Sequence, residues 1–586
     1  MLTKAIETLQ NYFGYSVFRP GQTEVVLSIL EKKNTIAIMP TGAGKSICYQ
    51  IPALCFDGVT IVISPLIALM KDQVDTLISK NIPATFINSS LSLEEVVCRI
   101  EGIKSGLYKI IYVAPERLTN PYFINDLKQC NISMIAVDEA HCISQWGHDF
   151  RPSYTKIKSS IDKIAEGKEM PVIVALTATA TIEVKEDIIK QLQVTDPNIF
   201  VSGFKRDNLE IICVNTKNDT DKITKIINIS KKISGPKLIY ATTRKSVEDI
   251  FENLIASGIP TLQYHAGMTP EERKVAQDVF LSGRCNCMVS TNAFGMGIDK
   301  SDIRLIIHCN MPGSIEAYYQ EIGRAGRDGK KSSCVLLYGT YDRYTHEFFI
   351  NNENPSKKNI EEVYFVLLNK SMADNKDEVS ITTSEIMCGV SESISDMALS
   401  SCLKELEKHE LIKRLGDANS EIKIKILDTF DNQIKKISSR AKTQQEFLIT
   451  LRREFELENK DQEIEFELEK FVEKIGITRD NILRTINVLN KAGIIEYTPA
   501  KKGRLIKILK KEIILGLNDE DLEDKKERAL TKLNVMEEYC LSSVCRHKFI
   551  LGYFGDNLEH VEDDCFMCDN CLKKRIKKNS DSKSPF

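Results

Sequence analysis

From the amino terminus to about residue 350, short apolar runs alternate with longer stretches in which apolar positions recur every three or four residues. The runs are Thr35–Met39, Thr60–Ser64, Ile110–Val113, Met134–Asp138 and Val172–Thr177, followed by Lys237–Ala241, Thr261–His265, Cys287–Thr291, Leu305–Cys309 and Cys334–Tyr338. Each has the length and β-branched content of a strand covered on both faces, and each interval is long enough for a crossover helix. The pattern predicts an α/β architecture of two tandem, doubly wound parallel sheets, with a break near Ser202–Asn208. Beyond residue 350 the rhythm changes to two small, mainly helical units. The first holds Ile381–Ile386 and Leu403–Leu411 and ends in Ile422–Leu427. The second holds Ile477-Thr478, Asn481–Leu489 and Lys491–Ile495, with a hairpin expected around Lys501-Lys502-Gly503-Arg504. The expected segments are therefore 1–205, 206–350, 351–435, 436–515, a cysteine-bearing helical module at 516–575, and a basic, disordered tail at 576–586.

Composition narrows the class. Among 586 residues, 79 Lys and Arg face 82 Asp and Glu, a net charge of −3. A protein that coats polyanions through bulk charge would be far more basic, so any contact with nucleic acid must come from local patches. No apolar run approaches the ~20 residues that span a bilayer, and the amino terminus lacks a signal-peptide core. No membrane partner is expected, and the chain reads as a cytoplasmic, nucleoid-associated protein, or a nuclear one in a eukaryote. The 17 cysteines are an odd number scattered through a long chain. They read as reduced thiols, with any cluster taken as a metal site before a disulfide.

The chemistry sits where predicted strands end. Thr35–Met39 runs into Pro40-Thr41-Gly42-Ala43-Gly44-Lys45-Ser46 and then a helical pattern, the context of a phosphate loop. In such a loop the backbone amides of Thr41–Gly44 close around the β- and γ-phosphates of ATP, Lys45 reaches the same oxygens and Ser46 binds Mg²⁺. Met39 stands where such loops usually begin with glycine. Asp138-Glu139-Ala140-His141 ends a second strand. Asp138 can hold Mg²⁺ through water, and Glu139 can polarise the attacking water. The second sheet supplies Gln320 to Gly329, with Arg324 and Arg327 three apart and so on one face if the segment is helical. An arginine reaching across a cleft to the phosphates is worth ~10³–10⁵ in rate, far beyond any surface ion pair. Nucleotide held between two lobes, with residues from both, is the arrangement of a motor. Near the carboxyl end, Cys565, Cys568 and Cys571 form two CxxC steps, and a fourth ligand from upstream would complete a structural Zn²⁺ site. Cys545 and Cys540 both lie at workable spacings, and His547 and His560 are weaker candidates.

These motifs, in this order, resemble the RecQ family of superfamily-2 ATP-dependent DNA helicases. Tyr12–Tyr15 with Phe18-Arg19-Pro20-Gly21-Gln22 is similar to the family's leading motif, which implies that Phe18, Arg19 and Gln22 serve the nucleotide and that Gln22 reads the adenine edge. Met39–Ser46 matches a family loop that also lacks the first glycine. Ser64-Pro65-Leu66 to Gln73 and Ala114–Arg117 resemble strand-binding motifs, Asp138–His141 a DEAH box, and Thr177–Ala180 the element that couples hydrolysis to movement. His265–Gly267, Ser290–Lys300 (which places Gly297 and Asp299 by the nucleotide) and Gln320–Gly329 match in lobe two. Cys142–Pro152 resembles the family's DNA-sensing loop and holds the only tryptophan, Trp146, with Phe150 and Arg151. An aromatic ring stacked on an unpaired base gains ~1–3 kcal/mol, comparable to the stacking lost on opening one pair. Cys545-Arg546 and Tyr553–Asp556 resemble the family's zinc module and favour Cys545 as fourth ligand.

The resemblance implies two RecA-like lobes, binding of single-stranded and branched or duplex DNA, 3′→5′ unwinding in recombination or repair, and a monomer whose candidate protein partners are single-strand-binding or recombination proteins. The rival readings are an RNA helicase and an ATP-switched nucleic-acid scaffold. Residues 351–515 depart from the family order, in which zinc follows the second lobe directly. Their two units resemble winged helices, which in the family lie after the zinc module, and this makes Lys501 and Arg504 candidate DNA contacts.

Overall fold

The computed structural model describes the chain except residues 41, 145, 148–149, 202–203, 296–299, 418–420, 428–431, 433–436, 438–440, 456–461, 468–470, 472–478, 499–502, 557–563 and 582–586. It divides into two compact units, one made of Met1–His346 with Leu530–Phe586, the other of Glu347–Ala529.

The first unit holds two parallel sheets. The seven-stranded sheet comprises β1 (Thr35–Ile38), β2 (Val59–Ile63), β3 (Ala84–Ile87), β4 (Ile110–Val113), β5 (Ile132–Val137), β6 (Val172–Thr177) and β7 (Asn198–Val201), in the order β3-β4-β2-β5-β6-β1-β7. Strands β1, β2, β4 and β6 are buried throughout, as is the carboxyl-terminal part of β5, which is why they read as unbroken apolar runs. The pattern passes over the two edges, the short β3, which is mostly buried, and β7, none of whose residues is buried. The second, six-stranded sheet comprises β8 (Leu209–Asn215), β9 (Lys237–Tyr240), β10 (Leu262–Tyr264), β11 (Cys287–Ser290), β12 (Leu305–His308) and β13 (Ser332–Tyr338), in the order β10-β11-β9-β12-β13-β8. Its edge strand β8 alternates buried and half-exposed positions and is also missed by the search for solid runs.

An open parallel edge is a liability, and β8 is capped. Met567 from the carboxyl-terminal module accepts a hydrogen bond from the Ile211 amide (3.0 Å), and Cys568 bridges Ile211. That module is helical, with helices Asp519–Leu541, Arg546–Tyr553 and Asp569–Asp581. The last helix continues through the basic run expected to be disordered from Ile576, as far as Asp581.

The second unit corrects the expected division at 435. Strands β14 (Glu378–Ile381), β15 (Ile412–Asp417), β16 (Glu421–Ile426), β17 (Glu463–Glu467), β18 (Ile495–Thr498) and β19 (Arg504–Ile508) form two antiparallel sheets, β14-β19-β15 and β17-β16-β18. Ile422–Leu427 was expected to close the first helical unit, but β16 is the central strand of the second sheet. Arg504 was expected in a hairpin of the second unit, but β19 is the central strand of the first sheet, where Arg504 pairs with Ile381 and Asp417. One subdomain is thus inserted into the other. The outer one packs helices Lys357–Asp374, Thr383–Cys388 and Asp396–Lys408 on its sheet, with Ile506 and Ile508 in its core; the inner one has a separate core around Ile424, Phe447 and Ile486. Local chemistry agrees with these elements. Thr382 and Glu385 cap helix Thr383–Cys388 reciprocally, satisfying amides that the first turn leaves open. Lys501 lies outside the described residues. Among the described residues no helix is long and apolar enough to cross a membrane.

Candidate active site and metal centre

The phosphate loop leaves β1 and enters helix Lys45–Cys55. Gly42 (φ 88°) and Gly44 (φ 79°) adopt left-handed backbone, which side chains disfavour. A Cβ on Gly44 would also stand 2.6 Å from Nε2 of Gln22. Lys45 Nζ donates to the Met39 carbonyl (3.2 Å), and the buried Met39 donates its own amide to Thr177 (3.0 Å), fastening the loop to β6. Arg19 Nη1 donates to the Gly42 carbonyl (2.7 Å), and Gln22 Nε2 to those of Ala43 (2.9 Å) and Gly44 (3.0 Å). Gln22 Oε1 accepts from the Arg19 amide (2.9 Å), so these two residues brace the loop from outside. Phe18 packs on the small apolar cluster of Ala5, Leu9, Val26 and Ile51 beneath them. Thr41 lies outside the described residues.

The acidic pair closes β5. Asp138 is held by its amide on Ile63 (2.9 Å) and by Tyr154 Oη, which donates to its carbonyl (3.0 Å). Glu139 follows in left-handed backbone at φ 48°, a conformation that costs a non-glycine residue ~1 kcal/mol or more and that clusters at functional sites. Burial and the Glu139 charge push the Asp138 carboxyl up to about 7, with Lys45 pulling it back. A hard divalent cation would relieve that crowding in place of a proton, and the oxygens of Asp138 and Ser46 suit Mg²⁺. His141 is buried and shares a 2.9 Å hydrogen bond through Nδ1 with Thr177 Oγ1; the Glu139 carboxylate lies 3.4 Å from the same nitrogen. Thr177 Oγ1 in turn donates to the Thr179 carbonyl (3.2 Å). His141 therefore stands between the acid pair and the Thr177–Ala180 segment, close to the Glu139 carboxylate on one side and hydrogen-bonded to Thr177 on the other.

The second lobe faces this loop through Arg327, whose Cγ lies 3.3 Å from where a Cβ on Gly42 would sit. Arg324 goes elsewhere. Helix Ile315–Ile322 ends before both arginines, so the shared helical face expected for them does not form. Arg324 is buried inside lobe two, its Nη1 on the Gly295 carbonyl. Gln320 occupies the last turn of that helix. Gly297 and Asp299 lie outside the described residues. Arg206, from the linker between the sheets, also reaches the loop: its Nη1 is 3.9 Å from the same Gly42 position. A lone arginine in a linker carries no spacing signature; only its place at the break between two lobes could have drawn notice.

From the acid pair the chain leads directly into the aromatic loop. Trp146 is 41% exposed. Its amide donates to Ser144 Oγ (3.1 Å) and its carbonyl accepts from Lys532 Nζ, which also pairs with Glu316 (3.3 Å). Lys532, on helix Asp519–Leu541, therefore ties the loop to the second lobe and was not singled out in the sequence. Arg151 Nη1 donates to the Pro65 carbonyl (3.1 Å), joining two segments expected at the strand, while Ser64 is buried and Phe150 half-buried.

Sulfur atoms of Cys545, Cys565, Cys568 and Cys571 lie within 4.8 Å of one another, with Cys565–Cys571 at 3.8 Å and Cys545–Cys568 at 4.0 Å. A tetrahedron with Zn–S bonds of about 2.3 Å has edges of about 3.8 Å, so the donor set fits zinc. Cys540 stands apart, its carbonyl accepting from Cys213 and Arg546, and His547 is engaged with the Leu209 carbonyl. His560 lies outside the described residues. Arg546 bridges to Asp569 (3.0 Å), locking the helix after Cys545 to the one that carries Cys571.

Three family models match in order: DEAD/DEAH box helicase at residues 19–188, helicase conserved C-terminal domain at 219–329 and RecQ zinc-binding at 504–572. The ATP-dependent DNA helicase RecQ of Bacillus subtilis is 47% identical over 61% of this chain and 60% of its own length. The enzyme of the same name from Pasteurella multocida is 41% identical over 61% and 56%. A probable ATP-dependent DNA helicase RecS of Bacillus subtilis is 36% identical over 72% of this chain and 84% of its own. The chain thus spans about 60% of the length of the first two relatives and most of the third.

Proposed function

Because the chain belongs to the RecQ family of ATP-dependent DNA helicases, we propose that it hydrolyses ATP between its two lobes and uses the turnover to move 3′→5′ along single-stranded DNA and part duplexes. The observation that carries this reading is Arg327 of the second lobe lying over Gly42 of the phosphate loop in the first. Lys45 exchanges the Met39 carbonyl for phosphate oxygens, the loop amides cradle the rest, and Arg327 meets the charge that develops on the transferred group. Mg²⁺, when bound, would neutralise phosphate charge between Ser46 and Asp138. Glu139 holds and polarises the attacking water. Loss of the γ-phosphate removes what Arg327 grips, so the fit between lobes changes with each turnover. The His141–Thr177 hydrogen bond passes that change into β6, and the short path from Asp138 to Trp146 gives DNA a route to the acids. Zn²⁺ on the four cysteines would hold the module that caps β8.

A strand-separation assay on tailed and forked duplexes with ATP, beside a Lys45→Ala control, tests the whole. ATP-dependent separation absent from the control is expected. DNA-stimulated hydrolysis without separation would instead mark an ATP-switched scaffold. Trp146→Ala is expected to leave the melting temperature and basal hydrolysis unchanged and to lower the stimulation by single-stranded DNA, as the loss of ~1–3 kcal/mol of base stacking predicts. Full stimulation in that variant would remove the loop from the mechanism.

A further inference from the structure

The loop that carries Arg327 lies between helix Ile315–Ile322 and β13, and two linker residues shape it. Arg206 Nη2 donates to the carbonyls of Ala325 (2.9 Å) and Gly326 (3.2 Å). Asn208 Nδ2 donates to those of Gly326 (2.8 Å) and Lys330 (3.0 Å). Gly326 sits at φ 54°, and a Cβ there would come within 2.4 Å of Asn208 Nδ2, so the linker and the loop are fitted to each other at backbone distance. The linker is itself anchored to lobe two and the zinc module. Tyr319 Oη donates to the Phe204 carbonyl (3.0 Å), and the Phe204 ring stacks on Phe554 at 4.7 Å. On its far side the Arg206 guanidinium comes up to Gly42 beside the stem of Arg327.

We infer that Arg206 and Asn208 are positioning residues for Arg327, holding its loop so that the guanidinium arrives over the phosphate loop. This rests on the reading of the chain as an ATPase. One branch of the guanidinium, Nη2, serves both carbonyls while the other, Nη1, comes up to Gly42 of the phosphate loop, a division that lysine's single ammonium cannot repeat. A group displaced by about 1 Å loses ~100-fold in rate while substrate binding, made elsewhere, survives.

The test compares single-turnover hydrolysis, KM for ATP and melting temperature across wild type, Arg206→Lys, Asn208→Ala, Arg327→Ala and the Arg206→Lys/Arg327→Ala double variant. Each linker variant is expected to lose kcat by about 100-fold with KM and melting temperature unchanged. The double variant is expected to be no slower than Arg327→Ala alone, because a residue that acts through Arg327 has nothing left to position. Wild-type kcat in both linker variants overturns the inference. So does a double variant slowed by the full product of the two single effects, or a fall in melting temperature that tracks the loss of rate. A wild-type chain that hydrolyses no ATP sinks the parent reading as well, which separates the two failures.

Discussion

Stripping metal from Cys545, Cys565, Cys568 and Cys571 is expected to unfold the carboxyl-terminal module. A structural Zn²⁺ contributes ~10–16 kcal/mol of apparent binding energy, comparable to the ~5–15 kcal/mol that stabilises a typical domain. Among the described residues the cluster of these sulfurs takes in no apolar side chains beyond the cysteines, so without the metal the ties around it are polar ones such as Arg546–Asp569 and Asn570 to the Ser542 and Val544 carbonyls. The loss should spread, because the module supplies the Met567 carbonyl to Ile211 on β8 and the Phe554 ring to Phe204. Incubation with a strong chelator, or a Cys568→Ser variant, should cost helical circular dichroism and protease protection in Leu530–Asp581 together with the zinc content. ATP turnover should fall in parallel as the linker loses its support. Purified protein that contains no metal yet keeps these helices protected would refute the zinc assignment.

Arg327→Ala is expected to abolish hydrolysis while leaving nucleotide binding in place. Lys45, Arg19, Gln22 and the loop amides all belong to the first lobe, so the binding half of the site survives the change. On the proposed mechanism the second lobe contributes where charge builds up in the transition state, and an arginine there is worth ~10³–10⁵ in rate, or about 4–7 kcal/mol of barrier. Fluorescent-nucleotide titration paired with single-turnover hydrolysis separates the two quantities. Arg327→Lys should recover only part of the rate, since one ammonium cannot fork between two phosphate oxygens. A variant that hydrolyses at the wild-type rate would remove Arg327 from the reaction.

How much of this was legible beforehand depended on how much order a residue carries in its neighbours. Strands buried on both faces announce themselves as solid apolar runs, and the loop and acid pair that follow them are placed by that alone. Edges such as β3, β7 and β8 mix polar positions into the pattern and slip past. Local CxxC spacing picks out Cys565, Cys568 and Cys571, whereas the choice between Cys545 and Cys540 rests on a resemblance until three dimensions set one in the cluster and the other beside Cys213. Arg206, Asn208 and Lys532 act across the fold as single residues, and no periodicity records them. The pairing of Arg324 with Arg327 failed for a definite reason. The helix that would have aligned them stops at Ile322, and the glycines that follow send each arginine its own way.

The interleaved strands of the second unit set an order on biosynthesis. The outer sheet is built around β19, which leaves the ribosome only after the whole inner subdomain has been made. Until then its two early strands have no partner between them, while the inner sheet, whose central strand β16 comes first, can close as soon as β18 emerges. The nascent chain should therefore complete the inner body before the outer one, with the outer helices waiting on a strand that arrives last.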